Sequence, residues 1–183
     1  MTDKRALRAR LRAARDAFVA QSPRAIAPPA AYLVLLRPGL TVASYIPVGS
    51  EIDPAPLTTA ALEAGCTLAL PHVVGREAPL RFLDWHPDHP LVDGPFRLRQ
   101  PHHERAVVTP DIILTPLVGF DAALNRLGQG AGHYDRAFAA HPDARRIGVA
   151  WSVQQVAALP ADPWDMPLHA IVTERGWIEG TPL

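Results

Sequence analysis

DIILTPLVGFDAALNRLGQGAGHYDRAF, residues 111–138, runs from an apolar segment through a glycine-rich turn into a helix pattern. The continuous apolar run over residues 111–118 predicts a central strand that is covered on both faces. Glycines at alternate positions over residues 128–132 follow it, and a short helix is predicted after them. A buried strand that leads through such a turn into a helix indicates an α/β sheet.

Outside this stretch, strand and helix patterns alternate along almost the whole chain. Strands are predicted at residues 41–46, 67–71, 80–83, 146–151 and 169–173. Helices are predicted in the first twenty residues, at 28–36, at 53–64 with Asp53 as N-cap, and after Ser152, where Gln155 would complete a capping box. The alternation predicts a single α/β domain over residues 1–183, with a mostly parallel sheet between two layers of helices.

The composition limits the possible classes of function. Hydrophobic residues make up 48% of the 183 and charged residues 20%, so a folded core is expected rather than disorder. Lys and Arg number 18, as do Asp and Glu, which leaves no general positive field for nucleic acid. The lone Cys66 excludes a disulfide framework, and its place before a predicted buried strand indicates a small core residue.

The N-terminal residues bear on localisation. No apolar run reaches the roughly 18 to 20 residues that cross a bilayer. The first twenty residues are rich in Arg and Ala, as transit peptides are, but Asp3 and Asp16 disfavour that interpretation. We expect a cytoplasmic protein with no membrane partner.

The predicted N-terminal helix is amphipathic. One stripe contains Leu7, Leu11, Ala14 and Phe18, and the adjoining face contains Arg5, Arg8, Arg12 and Arg15. This cationic face is either a solvated surface or an edge that faces phosphate. Contact with a membrane or with nucleic acid is a third alternative.

The glycine-rich turn is the strongest candidate for a binding site. Glycine lets the backbone approach a ligand closely and adopt positive φ, so that successive N–H groups converge on an anion. The following helix adds free N–H groups and partial positive charge, and Arg126 and Arg136 flank the turn with fixed charge. These features predict a polyphosphate site, and a tight turn without a ligand is the alternative.

Three other kinds of site are disfavoured. A Walker loop ends in Gly-Lys-Ser or Gly-Lys-Thr, which does not occur here. The dinucleotide-binding fingerprint has its third glycine where His133 stands, and it begins early in the chain. The motif His102-His103-Glu104 suggests a metal site, but consecutive histidines on an extended chain point in opposite directions, so we interpret it as a solvated loop.

Residues 126–136, RLGQGAGHYDR, resemble the signature R-L-G-x-G-x-G-x-Y-D-R of the 5-formyltetrahydrofolate cyclo-ligase family, also called methenyltetrahydrofolate synthetase. Similar blocks follow the family's order along nearly the whole chain. They are Lys4, Leu7-Arg8 and Arg15; Tyr45, Pro47, Glu51 and Asp53; Leu80, Phe82, Trp85, Leu91 and Gly94-Pro95-Phe96; 111–121; and Asp165-Met166-Pro167 with Ile171-Val172-Thr173. The resemblance implies a three-layer α/β/α fold of Rossmann-like topology, with the site beyond the carboxyl ends of the strands.

The resemblance further implies an ATP- and magnesium-dependent ligase of one-carbon metabolism. The implied reaction converts 5-formyltetrahydrofolate and ATP to 5,10-methenyltetrahydrofolate, ADP and phosphate. Transfer of the γ-phosphoryl group makes the formyl oxygen a leaving group, and the neighbouring folate nitrogen then closes the ring. Such phosphoryl transfer needs positioning and charge neutralisation rather than a nucleophilic side chain.

Roles for individual residues also come from the resemblance. ATP would be bound by Lys4, Arg8, Arg126, Leu127, Gly128, Gln129, Gly130, Ala131, Gly132, His133 and Tyr134. Of these, Arg126 and Tyr134 are the implied catalytic residues. The folate would contact Ile46, Glu51, Phe96, Gly130, Gly132 and His133, and Glu51 would accept hydrogen bonds from the pterin. Asp135 and Asp165 would bind Mg²⁺ through oxygen atoms, which this hard cation prefers, and Gln154 matches a family glutamine near the site.

The chain departs from the family pattern at some positions. Leu124 stands where the family usually has glycine, Gln129 where it has an aromatic or apolar residue, and His133 where it has tyrosine. These departures motivate one alternative, a divergent paralogue that binds folate or nucleotide without turnover. RNA binding through the arginine-rich helix is another, which the neutral net charge disfavours. We expect a monomer whose partners are reduced folate and ATP, without nucleic acid.

Overall fold

The computed structural model describes residues 3–21, 25–76, 78–160, 162 and 165–180, without the side chain of residue 97. The helices are α1 (Lys4–Gln21), α2 (Ala30–Leu33), α3 (Ala55–Glu63) and α4 (His133–Ala140), and Pro95–Arg97 and Ser152–Gln154 form short 3-10 helices. The strands are β1 (Thr41–Ala43), β2 (Thr67–His72), β3 (Arg81–Trp85), β4 (Val92–Asp93), β5 (Arg99–Gln100), β6 (Ile112–Pro116), β7 (Gly119–Phe120), β8 (Arg126–Leu127), β9 (Arg145–Val149), β10 (Ala170–Thr173) and β11 (Gly176–Glu179).

A seven-stranded sheet in the order β11-β10-β9-β6-β1-β2-β3 forms the centre of the fold. The five inner strands are parallel to one another. The edge strands β3 and β11 run antiparallel to their neighbours. Two small antiparallel pairs, β4–β5 and β7–β8, lie outside this sheet. The prediction of a mostly parallel sheet is confirmed.

Neighbouring residues of β1 face two separate hydrophobic layers. Val42 packs in a cluster with Tyr32 of α2 and Leu57 of α3, whereas Ala43 packs in a cluster with Phe138 of α4. Because successive side chains of a strand point to opposite faces, α2 and α3 lie on one side of the sheet and α4 on the other. The predicted three-layer α/β/α arrangement is confirmed, and β6 is buried as its apolar sequence indicates.

The strand order reverses between β1 and β6. On one side of this point β2 follows β1, and on the other side β9 and β10 follow β6. In open α/β sheets, ligands bind at such a reversal, beyond the carboxyl ends of the strands. The chain leaves β1 and β6 through residues 44–54 and 117–132, and both segments contain predicted site residues.

Several local predictions need correction. The helix expected after Ser152 is a single 3-10 turn, and the capping residue is Gln154 rather than Gln155, since Oε1 of Gln154 accepts a hydrogen bond from the backbone N of Trp151 over 2.7 Å. The helix predicted over 28–36 is limited to α2. The sequence signals indicate neither β8 nor β11, because these short strands have no apolar run and depend on pairing with β7 and β10.

Two further expectations concern membrane-spanning helices and the cysteine. Among the described residues, no helix combines the length and the apolar character that a membrane span requires. Cys66 is buried, and its thiol donates a hydrogen bond to the carbonyl oxygen of Arg37 over 3.3 Å. The prediction of a core cysteine is confirmed.

Candidate active site

The glycine loop, residues 128–132, connects β8 to α4. Gly130 and Gly132 have φ of +104° and +67°, in the left-handed region that strains residues with a Cβ atom. Gly132 is also the N-cap residue of α4, so the free N–H groups of the first turn adjoin the loop. The predicted positive φ is confirmed at both positions. At Gly128, a Cβ atom would lie 2.7 Å from Nη1 of Arg126, so a larger residue there would displace this guanidinium.

Arg126 places a buried positive charge next to the glycine loop. Its side chain is 5% exposed, and Nη2 lies 2.6 Å from Oδ1 of Asp135. The guanidinium also lies 5.7 Å and 5.4 Å from the ring centroids of Tyr134 and Phe138. Its Nε has no hydrogen-bond partner among the described residues. A buried guanidinium with a spare donor suits an anionic ligand such as phosphate.

α1 brings further arginines to the glycine loop. Nε of Arg8 donates to the carbonyl oxygen of Gly128 over 2.8 Å, and Nη2 of Arg12 donates to Oε1 of Gln129. Arg15 lies further along the same face and is only 6% exposed. The cationic face of α1 therefore packs against the candidate site, and the interpretation as a solvated surface is wrong for Arg15.

Lys4, at the start of α1, contacts two carboxylates. Its Nζ lies 2.6 Å from Oδ2 of Asp162 and 3.2 Å from Oδ2 of Asp165. Burial by itself would lower the pKa of Lys4, but the hydrogen bonds and charges of these carboxylates outweigh burial and raise it. Asp162, which the sequence signals do not single out, also donates its backbone N–H to Oδ2 of Asp165 over 2.8 Å.

The implied magnesium ligands lie in two separate ion pairs, Asp135 with Arg126 and Asp165 with Lys4. Their side chains are 25% and 22% exposed, so both carboxylates are open to solvent. Carboxylate oxygens are the donors that Mg²⁺ prefers, and the residue chemistry therefore fits this cation. In the described part of the chain, neither carboxylate belongs to a group of three potential ligands within 4.8 Å of one another, so the cation would need further oxygens from phosphate or water.

Glu51 is a buried carboxylate in the segment that follows β1, with a side chain 8% exposed. Oε2 accepts a hydrogen bond from the backbone N of Val48 over 3.0 Å, and Oε1 accepts one from Nε2 of Gln129 over 3.1 Å. Nη1 of Arg15 lies 3.9 Å from Oε1. Burial, followed by the charge of Glu51, raises the pKa of the Tyr134 phenol, which stays protonated. This carboxylate suits a ligand that offers N–H donors.

Phe96 and His133 lie side by side, with ring centroids 6.5 Å apart. Phe96 is 59% exposed and has φ of +61°, a strained conformation for a residue other than glycine. Burial, together with the charges of Arg136 and Arg76, lowers the pKa of His133 and keeps the imidazole neutral near pH 7. An exposed aromatic ring beside a neutral imidazole offers a surface on which a flat ring can stack.

A cavity of about 700 Å³ adjoins Glu51. Its walls include Asp53, Pro56 of α3 and Trp151, whose indole N–H donates to the carbonyl oxygen of Ser50 over 3.0 Å. The sequence signals do not single out Trp151. Trp151 follows the carboxyl end of β9 and Glu51 follows the carboxyl end of β1, so both lie at the same edge of the sheet. This position relative to the parallel strands is the signal that identifies Trp151.

Some of the implied site residues have structural roles. Leu127 is 3% exposed and packs with Leu7 of α1, so it can reach a ligand only through its backbone. Gln154 is 1% exposed, and its Nε2 donates to the carbonyl oxygen of Leu117 over 2.7 Å. Ile46 and Ala131 are half-buried, in the segment after β1 and in the glycine loop.

Leu124 keeps a left-handed conformation although it has a side chain. Its φ is +61°, and it is 2% exposed in the same hydrophobic cluster as Phe138. Its backbone N donates to the carbonyl oxygen of Asp121 over 3.0 Å. Although the family usually has glycine here, the turn with Leu124 has a conformation that glycine would also adopt.

The segment 102–104 is a solvent-exposed turn, as interpreted from the sequence, but its histidines do not diverge. The backbone N of Arg105 donates to the carbonyl oxygen of His102 over 3.0 Å, and the rings of His102 and His103 have centroids 4.3 Å apart. The expectation of opposite directions is wrong because the chain turns here instead of running extended.

Several known proteins that are similar to this chain are named for the same activity. Residues 1–174 match the model of the 5-formyltetrahydrofolate cyclo-ligase family. The chain is 36% identical over 140 residues to 5-formyltetrahydrofolate cyclo-ligase of Escherichia coli strain K12, a match that covers 73% of this chain and 77% of the relative. It is 34% identical over 148 residues to the Mycolicibacterium smegmatis protein of the same name, with 75% and 76% covered.

Two solved structures are similar to this chain along most of its length. The 5,10-methenyltetrahydrofolate synthetase of Aquifex aeolicus is similar with a TM-score of 0.65 and 30% identity, over 95% of this chain and 84% of that one. The 5,10-methenyltetrahydrofolate synthetase of Mycoplasma pneumoniae is similar with a TM-score of 0.64 and 25% identity, over 93% and 98%. The arrangement of helices and strands is therefore shared along nearly the whole chain.

Proposed function

Because the chain belongs to the 5-formyltetrahydrofolate cyclo-ligase family, we propose that it converts 5-formyltetrahydrofolate and ATP to 5,10-methenyltetrahydrofolate, ADP and phosphate. It is a ligase of folate metabolism, as its relatives are. One arrangement supports the ATP-dependent reaction most directly. The glycine loop lies next to Arg8 and Arg126 and, through Gln129, contacts the carboxylate of Glu51, so phosphates and pterin N–H groups would bind next to each other.

ATP would lie with its phosphates against the glycine loop. Backbone N–H groups at Gly130 and Gly132 and the first turn of α4 would donate to phosphate oxygens. The guanidinium groups of Arg126 and Arg8 would neutralise charge on the transferred phosphoryl group. Mg²⁺, bound by Asp135 and Asp165, would supply further charge neutralisation on the phosphates.

The folate would lie beyond the same loop. Glu51 would accept hydrogen bonds from the pterin, and Ile46, Phe96 and His133 would contact its flat rings. The formyl oxygen would then attack the γ-phosphorus while the bond to ADP breaks. The second folate nitrogen would attack the activated carbon, lose its proton and expel phosphate. The Tyr134 phenol, which stays protonated, would donate a hydrogen bond to the developing negative charge.

We also propose the domain organisation, oligomeric state, location and partners of the enzyme. Residues 1–183 would act as one domain and as a monomer in the cytoplasm, with reduced folate and ATP as partners and without nucleic acid or membrane. Gel filtration with light scattering, with and without both substrates, tests the monomer. A stable dimer would contradict it.

A turnover assay tests the reaction. Protein mixed with 5-formyltetrahydrofolate, ATP and Mg²⁺ should generate the near-ultraviolet absorbance of the methenyl product, and omission of ATP should abolish it. No product from folded protein across a range of pH would reject the proposal. In that case calorimetry that still shows folate binding would favour the divergent, non-catalytic paralogue.

A further inference from the structure

The side chain of Gln129 joins three parts of the candidate site. It is exposed in the glycine loop, its Oε1 accepts a hydrogen bond from Arg12 of α1, and its Nε2 donates to Oε1 of Glu51 over 3.1 Å. The loop for the nucleotide is thus bonded to the carboxylate for the folate.

Glu51 already accepts one hydrogen bond at each carboxylate oxygen in this arrangement. Oε2 accepts from the backbone N of Val48 over 3.0 Å, Oε1 accepts from Gln129, and the side chain is 8% exposed. Gln129 is exposed and the Glu51 side chain is only 8% exposed, so the Gln129 amide covers Oε1 of the carboxylate from the glycine loop. A pterin that approaches Glu51 past the glycine loop and donates adjacent N–H groups would need the position at Oε1 that the Gln129 amide occupies.

We propose that Gln129 competes with the pterin for Glu51 and thereby sets the affinity of the enzyme for folate. The proposal rests on the proposed function, because it takes Glu51 as the carboxylate that binds the pterin. Other family members usually have an aromatic or apolar residue at this position, and an apolar side chain cannot donate a hydrogen bond to Glu51. Gln129 is therefore a specificity-determining residue peculiar to chains with an amide here.

The competition makes folate binding an exchange of hydrogen bonds. Folate must release the Gln129 amide from Glu51, whereas the bond from Arg12 to Gln129 remains available to hold the loop against α1. The lost bond is an exposed hydrogen bond to a charged group, which corresponds to about a three- to tenfold effect on a dissociation constant.

Two variants test the competition. Gln129→Met keeps the length of the side chain and removes both its donor and its acceptor, and Gln129→Leu has the apolar character of the family. Calorimetric titration of each with 5-formyltetrahydrofolate, in the absence of ATP, should give a dissociation constant about three- to tenfold below that of the unaltered protein. The KM for folate should fall in the same direction and by a larger factor than the KM for ATP. Gln155→Met, the same substitution at another exposed glutamine, should leave folate affinity unchanged.

The outcomes separate this proposal from the proposed function. If the unaltered protein binds folate and both variants bind it equally or more weakly, Gln129 does not compete with the pterin and the inference is overturned. If the unaltered protein neither binds nor converts 5-formyltetrahydrofolate, the proposed function itself fails. Tighter folate binding in both variants, without an effect of Gln155→Met, supports the inference.

Discussion

Two turns that follow β6 contain left-handed residues, yet they differ in how their polar groups are satisfied. In the Leu124 turn (residues 121–125), the buried Leu124 has φ of +61°, and the carboxylate of Asp121 is 3% exposed. Oδ1 of Asp121 accepts from the backbone N of Asn125 over 3.0 Å, and Oδ2 accepts from the backbone N of Leu159 over 2.9 Å. The carboxylate of this turn is therefore satisfied by hydrogen bonds within the protein.

The glycine loop has the opposite character. Gly130 and Gly132 also have positive φ, but the groups around them retain unused donors. Nε of Arg126 and Nε2 of His133 are buried and have no hydrogen-bond partner among the described residues. Buried donors without partners cost free energy unless a ligand satisfies them. Positive φ alone therefore does not distinguish the two turns, whereas in the described part of the chain unsatisfied donors lie only beside the one that we propose as a binding site.

Removal of the buried cation should have the largest effect on the ligand-binding side of the comparison. Arg126→Ala should lower kcat/KM for ATP by about a hundred- to thousandfold, because in the proposed site it removes a desolvated charge beside the phosphates. The affinity for folate, measured by calorimetry without ATP, should change by less than about threefold. The reason is that Arg126 contacts the loop and Asp135 rather than Glu51.

Matched variants make this test specific. Arg126→Lys keeps the charge and should lose less activity than Arg126→Ala. Glu51→Ala should show the reverse pattern, with weakened folate binding and retained ATP binding. Thermal melts establish that each variant is folded. Equal losses for both ligands in Arg126→Ala would contradict the assignment of this residue to the nucleotide.

On the structural side, Asp121→Ala should lower the free energy of unfolding by about 3 to 5 kcal/mol, because several buried N–H groups lose their acceptor together. ATP affinity of the folded protein should remain within a factor of about three, since the carboxylate serves the Leu124 turn and not the glycine loop. Urea unfolding and nucleotide titration measure the two quantities. A loss of ATP affinity without a loss of stability would erase the distinction between the turns.

A smaller effect is expected at the strained residue. Leu124→Gly relieves the positive φ but removes a buried side chain, so a net loss of about 1 to 3 kcal/mol is expected. Leu124→Ala keeps only the buried Cβ atom and retains the strain, and it should be less stable than Leu124→Gly by about 1 kcal/mol. Urea unfolding of the pair measures this difference. A more stable alanine variant would show that the strain is not significant.

The smallest effect concerns His133 and pH. Burial lowers the pKa of His133 in the folded protein, so the unfolded chain binds a proton more readily. The contribution of His133 to stability is therefore present above its ordinary pKa of about 6.5 and is lost as the pH falls below it. His133→Phe should show a smaller decrease in unfolding free energy between pH 7.5 and pH 5.5 than the unaltered protein. An identical decrease in both would mean that His133 is not protonated more easily on unfolding.

The sequence predicts the layers and the glycine loop well because both depend on local patterns. The apolar run of β6 and the alternate glycines need no distant partner to be recognised. Short strands such as β11, and the 3-10 helix at Ser152–Gln154, depend on hydrogen bonds to remote segments and leave no periodic signal. The same limit applies to the site.

Contacts across the chain decide which candidate residues meet. Lys4 meets Asp162 and Asp165 from the opposite end of the chain, a pairing that no local pattern indicates. Trp151 and Glu51 line one cavity because each follows the carboxyl end of a parallel strand. Arg15 is buried next to Glu51 rather than solvated. Residue types therefore suggest the chemistry, while the topology selects the partners.

Nuclear magnetic resonance of protein labelled with ¹⁵N-glycine tests most directly whether the glycine loop binds the nucleotide. On titration with ATP and Mg²⁺, the amide signals of Gly128, Gly130 and Gly132 should shift with one dissociation constant. The signals of Gly39 and Gly176, which also have positive φ, should stay in place. Binding of ATP that leaves the three loop signals unchanged would contradict the account.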